Sequence, residues 1–140
     1  HTANRRQRQM CIRDRNVTIK PGVNIKYPWK LIVGNNCWIG ENVWIDNLDI
    51  VTLADNVCIS QGVFLLCGNH NFKSSSFDLM LGPITIESGV WLGAKSIVCP
   101  GVTVASHAIL SVASLANKDL EPYTIYKGNP AVKFKDRIIE

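Results

Sequence analysis

Residues 84–117 read ITIESGVWLGAKSIVCPGVTVASHAILSVASLAN, and within them Ile86, Leu92, Val98, Val104, Leu110 and Ala116 recur six residues apart. Neither regular element has that period: a helix repeats its buried face every 3.6 residues and a strand every two. A spacing of six therefore marks a repeat of whole structural units, each a short strand and a turn. Three hexads close one triangular coil of 18 residues, with one aliphatic side chain per hexad pointing inward. Stacked coils bury those side chains as columns, which a single coil could not do. The stretch predicts an all-β chain, a left-handed parallel β-helix of hexapeptide repeats.

Upstream the same spacing returns in shorter runs: Ile19 and Ile25; Val33, Ile39 and Ile45; Leu53, Ile59 and Leu65. A small or acidic residue usually follows the aliphatic one, as Gly34, Gly40, Gly93, Asp46, Ala54 and Glu87 do. The steps from Ile25 to Val33 and from Ile45 to Leu53 are eight residues, so each predicts a two-residue bulge at a corner. Tyr27-Pro28-Trp29 lies in the first bulge and Asn47-Leu48-Asp49 in the second. From Leu65 to Ile86 is 21 residues, three more than a full coil, and 68–83 (GNHNFKSSSFDLMLGP) breaks the pattern. This segment predicts an excursion loop, the kind of element on which a rigid scaffold displays chemistry. After Lys118 the chain predicts a closing turn, a short strand around Thr124–Tyr126 and a tail with a short helix after Pro130.

The first fifteen residues fit none of this. Arg5–Asp14 reads RRQRQMCIRD, the translation of CGT CGG CAG CGT CAG ATG TGT ATA AGA GAC, which resembles a common transposon-based sequencing adapter. Residues 1–15 are therefore expected to be foreign to the fold and to pack on nothing. The domain is expected to occupy 16–140, without its natural start. The other reading of the five arginines is a basic arm for an anionic partner.

Setting 1–15 aside removes five Arg and one Asp, the whole of the formal net charge of +4, and leaves 10 basic and 10 acidic residues. The sequence pI of about 8.9 then implies neither nucleic acid nor membrane as a partner. About 125 residues suit one domain, and no apolar run reaches the roughly 20 residues that span a bilayer. Cys37, Cys58, Cys67 and Cys99 follow no metal-ligand spacing, so no metal is expected. A reduced, cytoplasmic protein with inert thiols is the reading that follows.

His70 is the one imidazole of the excursion, flanked by Asn69 and Asn71. An imidazole at the mouth of a loop, directly after a coil strand, is placed to take a proton from a hydroxyl as general base. His107 falls at an ordinary coil corner and reads as surface structure.

The hexads, the loop histidine, the stretch ITIESGVWLGAKSIVCPGVTV and the terminal GNPA together resemble the hexapeptide-repeat acyltransferases. PWKLIVGNNCWIGENVWIDNLDIVTLADNVCISQ and HNFKSSSFDL are most similar to the colanic-acid-biosynthesis-type O-acetyltransferases, with the maltose and galactoside O-acetyltransferases close by. The resemblance covers Val17 to about Arg137. It implies transfer of an acetyl group from acetyl-CoA, as co-substrate, to a hydroxyl of a sugar or exopolysaccharide precursor. It implies His70 as the catalytic base, and Asp46 and Asn47 as a polar pair for the acceptor, with a corner turn as their alternative role. Trp91 matches an aromatic beside the pantetheine arm, Gly93 and Ala94 match small residues along the cofactor, and Lys118 matches a cation near the CoA phosphates. Lys133 and Arg137 are weaker candidates for the same work. The resemblance further implies a homotrimer, with His70 of one chain facing Trp91 or Lys118 of another.

Four positions depart from the family pattern: Ser111 and Ala113 replace frequent glycines, Asn117 a common threonine, and Asn69 a Gly or Ser. A γ-type carbonic anhydrase on the same fold needs three His ligands, and only His70 and His107 lie within 16–140. An assembly scaffold would have no use for the His70 loop, and an ice-binding face would need Thr-x-Thr ranks. Serine or an antibiotic is the alternative acceptor.

Overall fold

The computed structural model describes residues 16–140 and the backbone of Cys11–Ile12. Its strands fall into three parallel stacks, the three faces of a β-helix, plus a two-stranded hairpin. The first face is built from Cys11–Ile12, Leu31–Val33, Val51–Leu53, Ile84–Ile86 and Thr103–Val104. The second face stacks Thr18–Ile19, Trp38–Ile39, Cys58–Ile59, Trp91–Leu92, Ile109–Leu110 and Thr124–Gly128, with Ala131–Asp136 added antiparallel at its edge. The third face stacks Asn24–Ile25, Trp44–Asp46, Phe64–Leu66, Ile97–Val98 and Leu115–Ala116.

The hexad residues become the registered columns that the spacing predicts. Ile19, Ile39, Ile59, Leu92, Leu110 and Tyr126 pair in series on the second face. Ile25, Ile45, Leu65, Val98 and Ala116 do so on the third. Val33, Leu53, Ile86 and Val104 do so on the first. The expectation of one inward side chain per hexad needs correction. Two residues before every column aliphatic except Ile19 lies a second buried residue, such as Val43 before Ile45, Val57 before Ile59 and Val90 before Leu92. The reason is local: within a strand, residues i and i−2 share a face. The interior is thus twice as densely supplied as one aliphatic per hexad provides, and each buried Val, Leu or Ile contributes about 1.5–3 kcal/mol of transfer free energy.

The corners are made by residues with left-handed backbone. Between the first and second faces they are Asn16, Asn36, Asn56, Gly89, His107 and Tyr123; between the second and third they are Gly22, Asn42, Gly62, Lys95 and Ala113. Each stands three residues before an inward-column residue, which is aliphatic everywhere except at Tyr126. Asn tolerates this conformation and Gly is free in it, whereas the side chains of His107, Lys95, Ala113 and Tyr123 adopt it at a cost of about 1–2 kcal/mol each.

All three insertions fall on the remaining corner, from third face to first, and stack on one another. The lowest contains a 3-10 turn at Pro28–Lys30, the next Asn47-Leu48-Asp49, and the highest the hairpin. The 21 residues from Leu65 to Ile86 are therefore one corner step of six with fifteen inserted, not a coil plus three. The tail holds no helix after Pro130: Ala131–Asp136 is a strand, because it alternates toward the open edge of Thr124–Gly128 and completes that ladder. The expectation that nothing before Asn16 joins the fold also changes, since Cys11 and Ile12 pair with Ile32 and Val33. Leu31–Val33 would otherwise be the edge of its face, and unpaired backbone groups at an edge accept any extended segment whatever its sequence. The remainder of 1–15, including most of the adapter-like string, lies outside the described residues. Among the described residues no helix is long and apolar enough to cross a membrane.

Candidate functional site

The hairpin pairs Gly68–His70 with Leu79–Leu81, setting His70 opposite Leu79. Gly68 seats it on the corner below: a Cβ there would lie 2.7 Å from Cδ1 of Leu48. His70 is exposed, yet its ring is held. Nδ1 lies 3.0 Å from the carbonyl oxygen of Phe77. A carbonyl can only accept, so Nδ1 carries the proton and Nε2 presents a lone pair. The Phe77 ring stacks on the imidazole, centroids 4.4 Å apart and planes 11° apart. Asn69, the departure from Gly or Ser, accepts the His70 backbone N–H through Oδ1 at 2.8 Å. Phe77 itself has φ of 51°, a region costly for an aromatic residue and one in which strain accompanies function. Sequence reasoning missed Phe77. Only the pairing of 70 with 79 brings residue 77 back to the imidazole, and the sequence carries no signal of that register.

A groove of about 460 Å³ runs along the second face. Trp91, Gly93 and Ala94 line it together, as their assignment to one ligand requires, with Ser60 and Gln61 on the coil below and Ile109 to Val112 and Ile125 above. Trp91 is 46% exposed and donates Nε1–H to Ser60 Oγ at 2.8 Å, which turns the indole over the lower coil. Ser60 and Gln61 were not legible as site residues, because they belong to a hexad 31 residues from Trp91 and meet it only through stacking. Gly93 has a structural reason of its own: a Cβ would lie 2.7 Å from the backbone nitrogen of Val112. The groove floor is therefore shaped by how closely two coils approach.

The proposed acceptor pair divides. Asn47 is fully buried, accepts the Tyr27 N–H through Oδ1 at 2.9 Å and donates Nδ2–H to the Tyr27 carbonyl at 2.6 Å. Its amide joins two stacked corners, which is the corner-turn role the sequence offered as its alternative. Asp46 ends the strand beside Leu66, just below the hairpin, and is half-buried. Lys118 is exposed and lies outside the groove. Arg137 donates from Nη1 to the carbonyls of Gly89 and His107 at 2.8 and 3.0 Å, strapping the tail across two corners. Lys133 lies 3.3 Å from the Asp136 carboxylate on the surface, where such a pair is weak. His107 stacks on Tyr123 at 4.6 Å and accepts or donates a 2.6 Å bond with Ser106 Oγ, as part of its corner. No group of three or more His, Cys, Asp or Glu able to hold a metal lies among the described residues.

Within one chain the two halves are apart. His70 rises from the corner between third and first faces, whereas the groove lies on the second face and includes no hairpin residue.

No family model matches the chain. Over 124 residues it is 36% identical to the putative colanic acid biosynthesis acetyltransferase WcaF of Escherichia coli (strain K12), covering 89% of this chain and 68% of that protein. It is 30% identical over 118 residues to the galactoside O-acetyltransferase of the same organism, covering 82% of this chain and 58% of the relative. In three dimensions it is similar to a hexapeptide-repeat-containing acetyltransferase of Vibrio cholerae solved with acetyl coenzyme A, with a TM-score of 0.89 and 20% identity over 97% of this chain and 78% of the other. That last likeness speaks for the fold.

Proposed function

From the premise that this chain belongs to the hexapeptide-repeat acetyltransferases and is an acyltransferase, we propose that it acetylates a sugar hydroxyl, on an exopolysaccharide precursor, with acetyl-CoA as donor. The observation that carries the reading is the imidazole of His70, exposed and held with Nε2 free by the Phe77 carbonyl. Nε2 takes the proton of the acceptor hydroxyl as its oxygen attacks the thioester carbonyl carbon. The tetrahedral intermediate collapses with cleavage of the C–S bond, and the imidazolium returns its proton to the departing CoA sulfur. The products are the acetyl ester and CoA.

The donor is assigned to the groove of Trp91, Gly93 and Ala94, where the indole flanks the pantetheine arm, and Lys118 serves the phosphates as a point charge. Asp46 remains the acceptor ligand. Because His70 and the groove lie on different sides of one chain, the site is completed between neighbours in a homotrimer with His70 of one chain over the groove of the next. The free thiols among the described residues, Cys37, Cys58, Cys67 and Cys99, each raised above its ordinary value by burial, support a cytoplasmic setting. The relatives named for colanic acid and galactoside acetylation support the sugar.

The test is CoA release from acetyl-CoA against a panel of sugars, with His70→Ala alongside. Loss of turnover by about a hundredfold or more, with CoA binding retained, is the expected scale for a missing general base. Normal turnover by His70→Ala refutes the assignment.

A further inference from the structure

The insertions on the third-to-first corner do more than carry the hairpin. Two corners below it, Tyr27 and Trp29 form an aromatic pair with centroids 5.1 Å apart, tilted by 39°. Trp29 is 60% exposed, an unusual fate for the largest apolar side chain. The pair is not loose. Pro28 opens the 3-10 turn, the buried Asn47 amide grips the backbone of Tyr27, and Lys30 Nζ donates to the Leu48 carbonyl at 2.9 Å. A rigidly mounted, solvent-facing indole is a platform.

A second one stands on the other face. The outward column through the groove runs Trp91, Cys58, Trp38 by direct register, so Trp38 continues the line of Trp91 two coils down. It is 44% exposed, and Lys20 Nζ lies 5.4 Å from its ring centroid. Trp29 and Trp38 thus stand at neighbouring levels, both below the hairpin by one or two strand spacings, on the order of 5–10 Å.

We propose that Trp29 and Trp38 form an extended acceptor subsite, so that the acceptor is an oligosaccharide whose distal residues stack on these rings while one hydroxyl reaches His70. This rests on the assignment of the protein as a sugar O-acetyltransferase assembled about a threefold axis along the coil stack. Such an axis keeps coil levels aligned, and it brings the Trp29 corner of one chain opposite the Trp38 face of the next beneath the shared site. The occupant follows from chemistry. One face of a pyranose presents C–H groups, which match the negative face of an indole, while its hydroxyls stay in water or bond the lysines beside the rings. A monosaccharide held at His70 is too short to span both of those levels, and a short oligosaccharide is long enough.

The experiment measures kcat/KM of the chain as it stands, and of Trp29→Ala, Trp38→Ala and Trp29→Tyr, with monosaccharide acceptors and with their tri- and tetrasaccharide counterparts. The expected result is a wild-type preference for the longer acceptors that falls by about tenfold in each alanine variant, the scale of one lost aromatic contact. Turnover of monosaccharides stays unchanged, and Trp29→Tyr keeps most of the preference. Equal kcat/KM for short and long acceptors in the wild type overturns the subsite while leaving the sugar acetyltransferase assignment intact. Failure of the wild type to acetylate any sugar overturns both. Light scattering on the variants gives the remaining arm: an alanine variant that falls apart into monomers shows an assembly contact in place of a glycan platform and overturns the proposal.

Discussion

Replacing Asn47 by Ala separates a structural residue from a ligand-binding one. Its side chain spans the 20 residues of one full coil, accepting the Tyr27 N–H at 2.9 Å and donating to the Tyr27 carbonyl at 2.6 Å. A buried hydrogen bond contributes about 1 kcal/mol net, and a backbone group left without its partner costs about 1–3 kcal/mol. With two bonds lost and Tyr27 only half-buried, the expected loss is about 3 kcal/mol. For the 125 residues from 16 to 140, an unfolding entropy of about 2.1 cal/mol/K per residue converts this to a fall in Tm of about 11 °C. The assay is thermal unfolding followed by circular dichroism, beside initial rates at a temperature where both proteins are folded. The KM of folded Asn47→Ala for a monosaccharide acceptor, which does not reach the Tyr27–Trp29 corner, should stay within about threefold of wild type, a difference under 1 kcal/mol. A Tm within about 2 °C of wild type, together with a tenfold loss in kcat/KM for a monosaccharide acceptor, would refute the reasoning and return Asn47 to the acceptor site.

Ala113→Gly should raise stability by about 1 kcal/mol, because Ala113 has φ of 55° and only glycine occupies that region without cost; an unchanged or lower denaturant midpoint would argue against strain at this corner. Burial pushes the Cys67 thiol up to about 11 from an ordinary 9.0. The unfolded chain therefore releases this proton first, so the contribution is complete below pH 9 and is lost as pH rises toward about 11. Across that window Cys67→Ala should lose about 2 kcal/mol less stability than wild type, read from urea midpoints at both ends. Parallel losses in the two proteins would show that the thiol does not titrate this way.

The β-helix was legible because its signal is one-dimensional. An aliphatic every six residues places Ile86, Leu92 and Val98 on three successive faces whatever the rest of the chain does, and the register breaks at 26–32 and 46–52 locate the bulges. His70 stood out for the same reason, as the imidazole in the longest segment where the period fails. The groove residues Trp91, Gly93 and Ala94 lie close in sequence and so arrived together.

What the hexads leave open is anything that depends on the step from one coil to the next. Asn47 reads as a polar corner residue, and only the stacking of coils puts its amide on the Tyr27 backbone rather than on a ligand. The tautomer of His70 depends on Phe77, whose position follows from the hairpin register. Arg137 reads as a free cation until the tail folds back and its guanidinium meets the carbonyls of Gly89 and His107. A period records which side chains face inward within a coil. Which polar groups meet across coils, 18 or more residues apart, is set by register, insertion length and the need of every buried donor and acceptor for a partner, and those are decided in three dimensions.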